Sequence, residues 1–345
     1  MDNYTELQKK IEEAIQNQIP ENPDRKWLDF YFRDTFLDVS PYMIKPLSEP
    51  CRELVNRGGK RWRPMLMVLT EKAFNGTENS ISLAPALEFV HTASLIHDDI
   101  EDQATERRGG KAIHLLYGTD TAINSGSWLY FHGGNVLNRY LCPPEEKNRI
   151  TDCFFSNLEK LHLGQALDIS WHRDSGFYPA EKEYLLMVSL KTGTLANMAG
   201  EFGAIAGKQE GRTVSECGAA FRMAGMGFQI IDDVINLKTG NPGKLRGDDI
   251  VEGKKSLPVI LYANLHKGTE KLTEIFKTAG KEGITSGAVE EGIKLLSGSG
   301  AIDKALEKGK TLIYESMEKI GRIFPPGEAK DGVIAMLEKM IPQNL

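Results

Sequence analysis

HTASLIHDDIED, residues 91–102, is the stretch whose reading decides the fold. Turned at 100° per residue, Phe89, Ala93, Ile96 and Ile100 fall on one stripe of a helix. His91, Leu95, Asp98 and Asp102 line the opposite side, with Asp99 nearby. A second stretch, FQIIDDVIN at 228–236, repeats the design. Met223, Ile230, Val234 and Leu237 form its apolar stripe, Gly225, Gln229, Asp232 and Asn236 lie opposite, and Asp233 sits about a third of a turn away. Carboxylates set in such apolar text are costly unless paired or bound to a cation. Each stretch is therefore read as a helix with a packing face and a chemical face.

The helical period recurs outward from both. Candidate helices span 3–17, 42–56, 62–74, 81–104, 119–141, 145–171, 180–190, 193–206, 213–238, 256–266, 269–278, 283–295, 300–322 and 328–341. Gly-Gly at 58–59 and 109–110, Pro143-Pro144 and Gly240-Asn241-Pro242-Gly243 punctuate them. Alternating strand patterns are nearly absent, and no Pro/Ser-rich linker or repeat divides the chain. The expectation is one all-α domain over 1–345, with a motif-bearing core at about 55–262 and amphipathic outer helices at 267–345. Residues 1–40 receive no role beyond helices on the outside.

The composition bounds the function. With 345 residues, 41% hydrophobic and 26% charged, the chain has material for a large core. A net charge of −6 argues against a general nucleic-acid binder. Cys51, Cys142, Cys153 and Cys217 form no CxxC pair, which fits a reducing compartment and no thiolate zinc site. No signal peptide opens the sequence, and no apolar run reaches the roughly 18 residues of a membrane span. A cytoplasmic protein is expected.

Oxygen ligands without His or Cys spacing favour Mg²⁺, which takes one or two carboxylates and completes its shell with water and phosphate oxygens. Two Asp clusters thus suggest a diphosphate held by several Mg²⁺ ions. Basic groups accompany them. Gly58-Gly59-Lys60-Arg61-Trp62-Arg63-Pro64 is a Gly-rich turn into a helix, suited to an anion. Arg107 and Arg108 follow the first cluster, Lys191-Thr192-Gly193 begins a helix, and Lys244 and Lys254 flank Asp248-Asp249. So many separated charges suit two polyanionic substrates, one held through Mg²⁺ and one directly.

Six blocks now stand in order: GGKRWRP (58–64), HTASLIHDDIED (91–102) with RRGG (107–110), GQALDI (164–169), KTG (191–193), FQIIDDVIN (228–236) and GDDIVEGKKSLP (247–258). In these the chain resembles the trans-isoprenyl diphosphate synthases, the polyprenyl synthetase family, and within it the eukaryotic-type geranylgeranyl diphosphate synthases. The resemblance implies an all-α bundle around a deep cavity, usually a homodimer, and a Mg²⁺-dependent condensation of isopentenyl diphosphate with an allylic diphosphate. It implies that Asp98, Asp99, Asp102, Asp232 and Asp233 hold Mg²⁺, with Asn236 assisting. Lys60, Arg63, His91 and Arg108 would bind isopentenyl diphosphate. Arg107, Lys191, Gln229, Lys244 and Lys254 would grip the allylic diphosphate. Thr192 and Gln229 would stabilise the allylic cation, with Gln165 and Asp168 behind them.

In this family a bulky aromatic four or five residues before the first Asp closes the cavity early. Those positions here are Ser94 and Ala93, so a product beyond farnesyl is expected, C20 first. Farnesyl or C25 and longer products are the alternatives. A class I terpene cyclase would not need Lys60, Arg63 and His91, and a non-catalytic partner subunit would not need both acidic clusters.

Overall fold

The computed structural model describes residues 2–33, 38–240, 245–265 and 269–343. Those residues fold into helices α1 (Asp2–Gln18), α2 (Arg25–Phe32), α3 (Pro41–Asn56), α4 (Trp62–Ala73), α5 (Ala84–Glu101), α6 (Ile113–Tyr117), α7 (Thr119–Val136) and α8 (Pro144–Arg173). There follow α9 (Glu181–Val188), α10 (Thr194–Ala206), α11 (Gly211–Lys238), α12 (Asp248–Val251), α13 (Leu257–Leu265), α14 (Glu270–Glu282), α15 (Gly287–Gly298), α16 (Ala301–Ile323) and α17 (Glu328–Glu338). Two compact units result, residues 1–155 with 202–210, and residues 156–201 with 211–345. Two of the boundaries fall inside α8 and α10, and the third directly before α11. Among the described residues no helix is long and apolar enough to cross a membrane.

In the first unit α5 packs chiefly on α7. Phe89, Ala93 and Ile96, the stripe read from the sequence, are buried; Ile96 meets Leu54, Ile113 and Ala122, and Ile100 joins them partly buried. A Cβ at Gly126 would lie 2.6 Å from the His97 ring, so glycine lets α7 approach α5. Near α2, His132 is enclosed by Trp128, Tyr31, Phe89 and Trp27, with ring centroids 4.4, 4.5, 5.4 and 5.9 Å away. Its Nε2 donates to the Gln18 carbonyl at 2.9 Å, the only role a carbonyl partner allows.

Among the described residues one short stretch pairs as strands. Glu106–Arg107 and Gly110–Lys111 pair as an antiparallel hairpin, β1 and β2, closed by Arg108 at φ 50° and Gly109 at φ 74°. Positive φ at both turn residues is what a two-residue hairpin needs. Four residues without alternation gave the sequence no strand signal.

In the second unit α11 lies against α16. Gly227 and Gly309 allow this, since a Cβ at Gly227 would be 2.5 Å from the Gly309 carbonyl oxygen. Ile230, Val234 and Leu237 are buried as the period requires, whereas Met223 is only half-buried. Phe221 and Ala224 take the packing position given to Met223, because the helix is enclosed over a wider arc than one stripe.

Burial pushes the His132 imidazole down to about 4 from its ordinary 6.5. A depressed folded value means the unfolded chain binds the extra proton, so this contribution is intact above pH 6.5 and fades as pH falls toward 4. Between pH 7 and pH 5 we expect His132 to cost about 2 kcal/mol of stability. Chemical denaturation at both pH values should show it, with a smaller acid loss in His132→Gln; equal losses would contradict the assignment.

Candidate active site

The first unit carries one acidic cluster and the larger basic one. Asp99 is fully buried on α5. Its Oδ1 accepts from Arg107 Nε at 2.7 Å and lies 2.5 Å from Nη2, while its Oδ2 is buried with no partner. Burial pushes this carboxyl above its usual range, Arg107 pulls it back, and the charge of Asp98 adds to the rise. Asp98 and Asp102 are half-buried on either side, and Glu101 is exposed. An orphaned carboxylate oxygen against a guanidinium is a place prepared for a further cation.

Arg107 stands on β1, and the hairpin is clamped from α3: Arg57 Nη1 donates to the carbonyls of Arg107 at 2.8 Å and Lys111 at 2.9 Å. Arg108 turns the hairpin and donates to the Leu54 carbonyl at 3.3 Å. Arg63 is 7% exposed, its Nε lacks a partner, and it stacks 4.4 Å from the Trp62 ring. Burial, with the charge of Arg108, brings its guanidinium down to about 10 against the pull of Glu88. His91 is held well below its ordinary value, first by burial and then by Arg63, Arg108, Arg61 and Arg107. At neutral pH it is a neutral donor amid four guanidiniums, a setting for an anion. Lys60 is exposed at the head of the turn.

The second unit carries the other cluster in a hydrogen-bonded relay. Thr192 Oγ1 donates to Gln229 Oε1 at 3.0 Å, and Gln229 Nε2 donates to Asp233 Oδ1 at 2.9 Å. Tyr184 Oη donates to Asp233 Oδ2 at 2.8 Å. Burial raises the Asp233 carboxyl to about 7, and the charges of Asp249 and Asp232 push the same way. Lys191 Nζ meets Asp168 Oδ2 at 2.5 Å, and His172 Nε2 lies 2.8 Å from Oδ1. Burial opposes ionisation of Asp168, but Lys191 and His172 outweigh it and hold the carboxyl far below its usual range. Gln165 is half-buried on the same helix, one turn before Asp168.

The KTG block does not begin a helix as read from the sequence. Residues Ser189–Gly193 form a π-helical turn between α9 and α10. Such a turn displaces Lys191 and Thr192 from α-helical positions, a device common at functional sites. Gly164 on α8 makes room, since a Cβ there would lie 2.4 Å from the Lys191 amide nitrogen. Lys254 Nζ lies 2.9 Å from Glu252 and 3.5 Å from Asp249. Beside it Lys255 is buried, its Nζ 4.9 Å from the Tyr178 ring and 4.8 Å from that of Phe276, which fixes this end of the GDDIVEGKKSLP block.

Asn236, assigned to assist the metal, is 1% exposed, and its Oδ1 accepts from the Asp249 amide at 3.3 Å while Nδ2 reaches the Leu245 carbonyl at 3.5 Å. An amide oxygen has two lone pairs, so this bond to the start of α12 leaves Asn236 able to assist a cation as well. Asp232 is half-buried and Lys244 lies outside the described residues. Among the described residues no three acidic, imidazole or thiol groups converge on a single metal position. Mg²⁺ completed by water and diphosphate oxygens does not require such a set, and the orphaned Asp99 Oδ2 fits it. Sequence reading gave no role to Arg57, Tyr184, His172, Gly164 or Arg61; of these, Gly164 inside the GQALDI block and Arg61 inside GGKRWRP had a signal.

The polyprenyl synthetase family model matches residues 44–293. A geranylgeranyl pyrophosphate synthase of Geoglobus acetivorans is 33% identical over 86% of this chain and 91% of its own. One of Penicillium canescens is 30% identical over 85% and 86%; Geoglobus being an archaeon, the likeness is not confined to the eukaryotic type. Among solved structures, geranylgeranyl pyrophosphate synthetase from Pyrococcus horikoshii Ot3 superposes with a TM-score of 0.85 at 29% identity, covering 99% of this chain and 98% of that one. With its blocks in order and its helices so arranged, the chain belongs to the polyprenyl synthetase family.

Proposed function

We propose that the protein condenses isopentenyl diphosphate with an allylic diphosphate and releases mainly the C20 product, as a Mg²⁺-dependent enzyme. The observation that carries this reading is Asp99, a fully buried carboxylate with one oxygen on Arg107 and the other without a partner. Asp98, Asp99, Asp102, Asp232 and Asp233 would hold Mg²⁺, which when bound neutralises the departing diphosphate. Asn236 would assist them, while its bond to the Asp249 amide steadies the start of α12.

The side chains do the rest. Arg107, Lys191, Gln229, Lys244 and Lys254 grip the allylic diphosphate, and their charges favour cleavage of the allylic C–O bond. Lys60, Arg63, Arg108 and neutral His91 hold isopentenyl diphosphate so that its double bond attacks the allylic carbon. The Thr192 and Gln229 dipoles, ordered by Asp233, would stabilise the allylic cation, and Asp168 fixes Lys191. The proton lost after bond formation passes to the released pyrophosphate. Water must be kept from the cation, so we propose that both units work as one domain.

Two further readings accompany this one. Leu115, Leu116, Ile123, Phe131, Leu141 and Phe155 are exposed, Phe131 at 74% and Leu141 at 89%, which supports a second copy of the chain covering them in a homodimer. The other is that the enzyme is cytoplasmic. The C20 assignment rests on small side chains at two positions and on relatives named for that product. A relative named geranylfarnesyl diphosphate synthase, from Aeropyrum pernix, is 29% identical, so length needs its own test.

Purified protein with Mg²⁺, isopentenyl diphosphate and each of the dimethylallyl, geranyl and farnesyl primers should give a dominant C20 alcohol after dephosphorylation. No elongation from any primer would overturn the proposal. Asp99→Asn should lower kcat/KM by about 10³-fold with the fold intact by circular dichroism. Ser94→Phe should shorten the main product, and an unchanged length would sink the account of the cavity floor.

A further inference from the structure

The amino-terminal helix reaches the turn that bears Lys60 and Arg63. Leu7, Ile11 and Ile15 on one side of α1, with Ile19 just past its end, are 4%, 0%, 0% and 1% exposed, and the helix packs on α4 and α5. Next to this stripe Glu12 grips Arg61 with both oxygens, Oε2 at 3.0 Å from Nε and Oε1 at 3.2 Å from Nη2. From α5, Glu88 Oε2 accepts from Nη1 at 2.6 Å, and the Val55 carbonyl accepts from Nη2 at 2.8 Å. Arg61 is 3% exposed and sits at φ 46°, immediately before α4. An L-residue seldom takes that left-handed conformation and keeps it only where its surroundings fix it. Here two carboxylates from two helices and a carbonyl do so.

We propose that Glu12 is a positioning residue for the isopentenyl diphosphate site, acting through Arg61 to hold Lys60 and Arg63 in one geometry. This rests on the functional reading above and deepens it. Lys60 precedes Arg61 and Arg63 follows two residues later, so any relaxation of Arg61 rotates one against the other. Without Glu12, Arg61 keeps one carboxylate, Glu88, whose charge also acts on Arg63 and Arg108. The turn would then lose half of what fixes its left-handed residue. A competing effect has the opposite sign: removing an anion beside Arg61 and Arg108 makes the cluster more positive and favours a diphosphate. The direction of the change therefore decides between positioning and mere counter-charge.

Steady-state kinetics of the full-length protein and of Glu12→Gln test this, with KM measured separately for isopentenyl diphosphate and for the allylic primer. Positioning predicts a KM for isopentenyl diphosphate raised ~10-fold, with the allylic KM within about twofold. Glu12→Asp, which keeps the charge, should recover part of the loss and serves if the Gln variant is insoluble. Ile15→Ala, which loosens α1 without touching Arg61, should lower Tm and not separate the two KM values. An unchanged or lower KM for isopentenyl diphosphate in Glu12→Gln, beside an active wild type, overturns the role of Glu12 alone. A wild type that elongates no primer overturns the functional reading itself.

Discussion

Taking a carboxylate out of water is costly, and this protein does so in both of its units. Asp99 and Asp233 are buried on helices whose opposite faces are committed to packing. Each is pushed toward its protonated form, first by desolvation and then by a neighbouring acid. A buried charge of this kind persists where partners or a ligand repay the cost. The surroundings do this only in part: Arg107 reaches one oxygen of Asp99, and Asp233 is bonded by the neutral groups of Tyr184 and Gln229. What remains uncompensated is negative potential, which suits a divalent cation arriving with a polyanion.

The basic cluster applies the same physics with the sign reversed. Arg61, Arg63, Arg107 and Arg108 all depress His91, and burial weakens the protonation of Arg63. Only Arg61 is neutralised on both sides, by Glu12 and Glu88. It is thereby removed from the set that meets substrate and becomes the anchor of the turn. The Asp168–Lys191 and Asp168–His172 pairs serve similarly in the second unit, fixing a lysine that must keep its charge and its direction.

Much of this was legible in the sequence because the helical period and the chemistry share a register. The packing stripe of Phe89, Ala93 and Ile96 is buried as its period requires, and the spacing of Asp98 and Asp102 follows from the same helix. What was not legible depends on partners distant in sequence. The π-helical turn at Ser189–Gly193 has no composition of its own; it needs Gly164 on another helix. The hairpin at 106–111 is too short for alternation and is held by Arg57. Asn236 carries the spacing of a ligand, but that spacing does not show that its oxygen also takes the Asp249 amide. Residues 1–40 offered only a helical period, and Glu12 is indistinguishable there from any surface glutamate until Arg61 is seen against it.

The central claim is that buried carboxylates are completed by a cation arriving with a diphosphate. The most direct measurement is the thermal stability of the full-length protein with Mg²⁺ alone, inorganic pyrophosphate alone, and both together. The account predicts a Tm increase with both that clearly exceeds the sum of the separate increases, and its loss in Asp99→Asn. A pyrophosphate effect indifferent to Mg²⁺, or unchanged in Asp99→Asn, would contradict it.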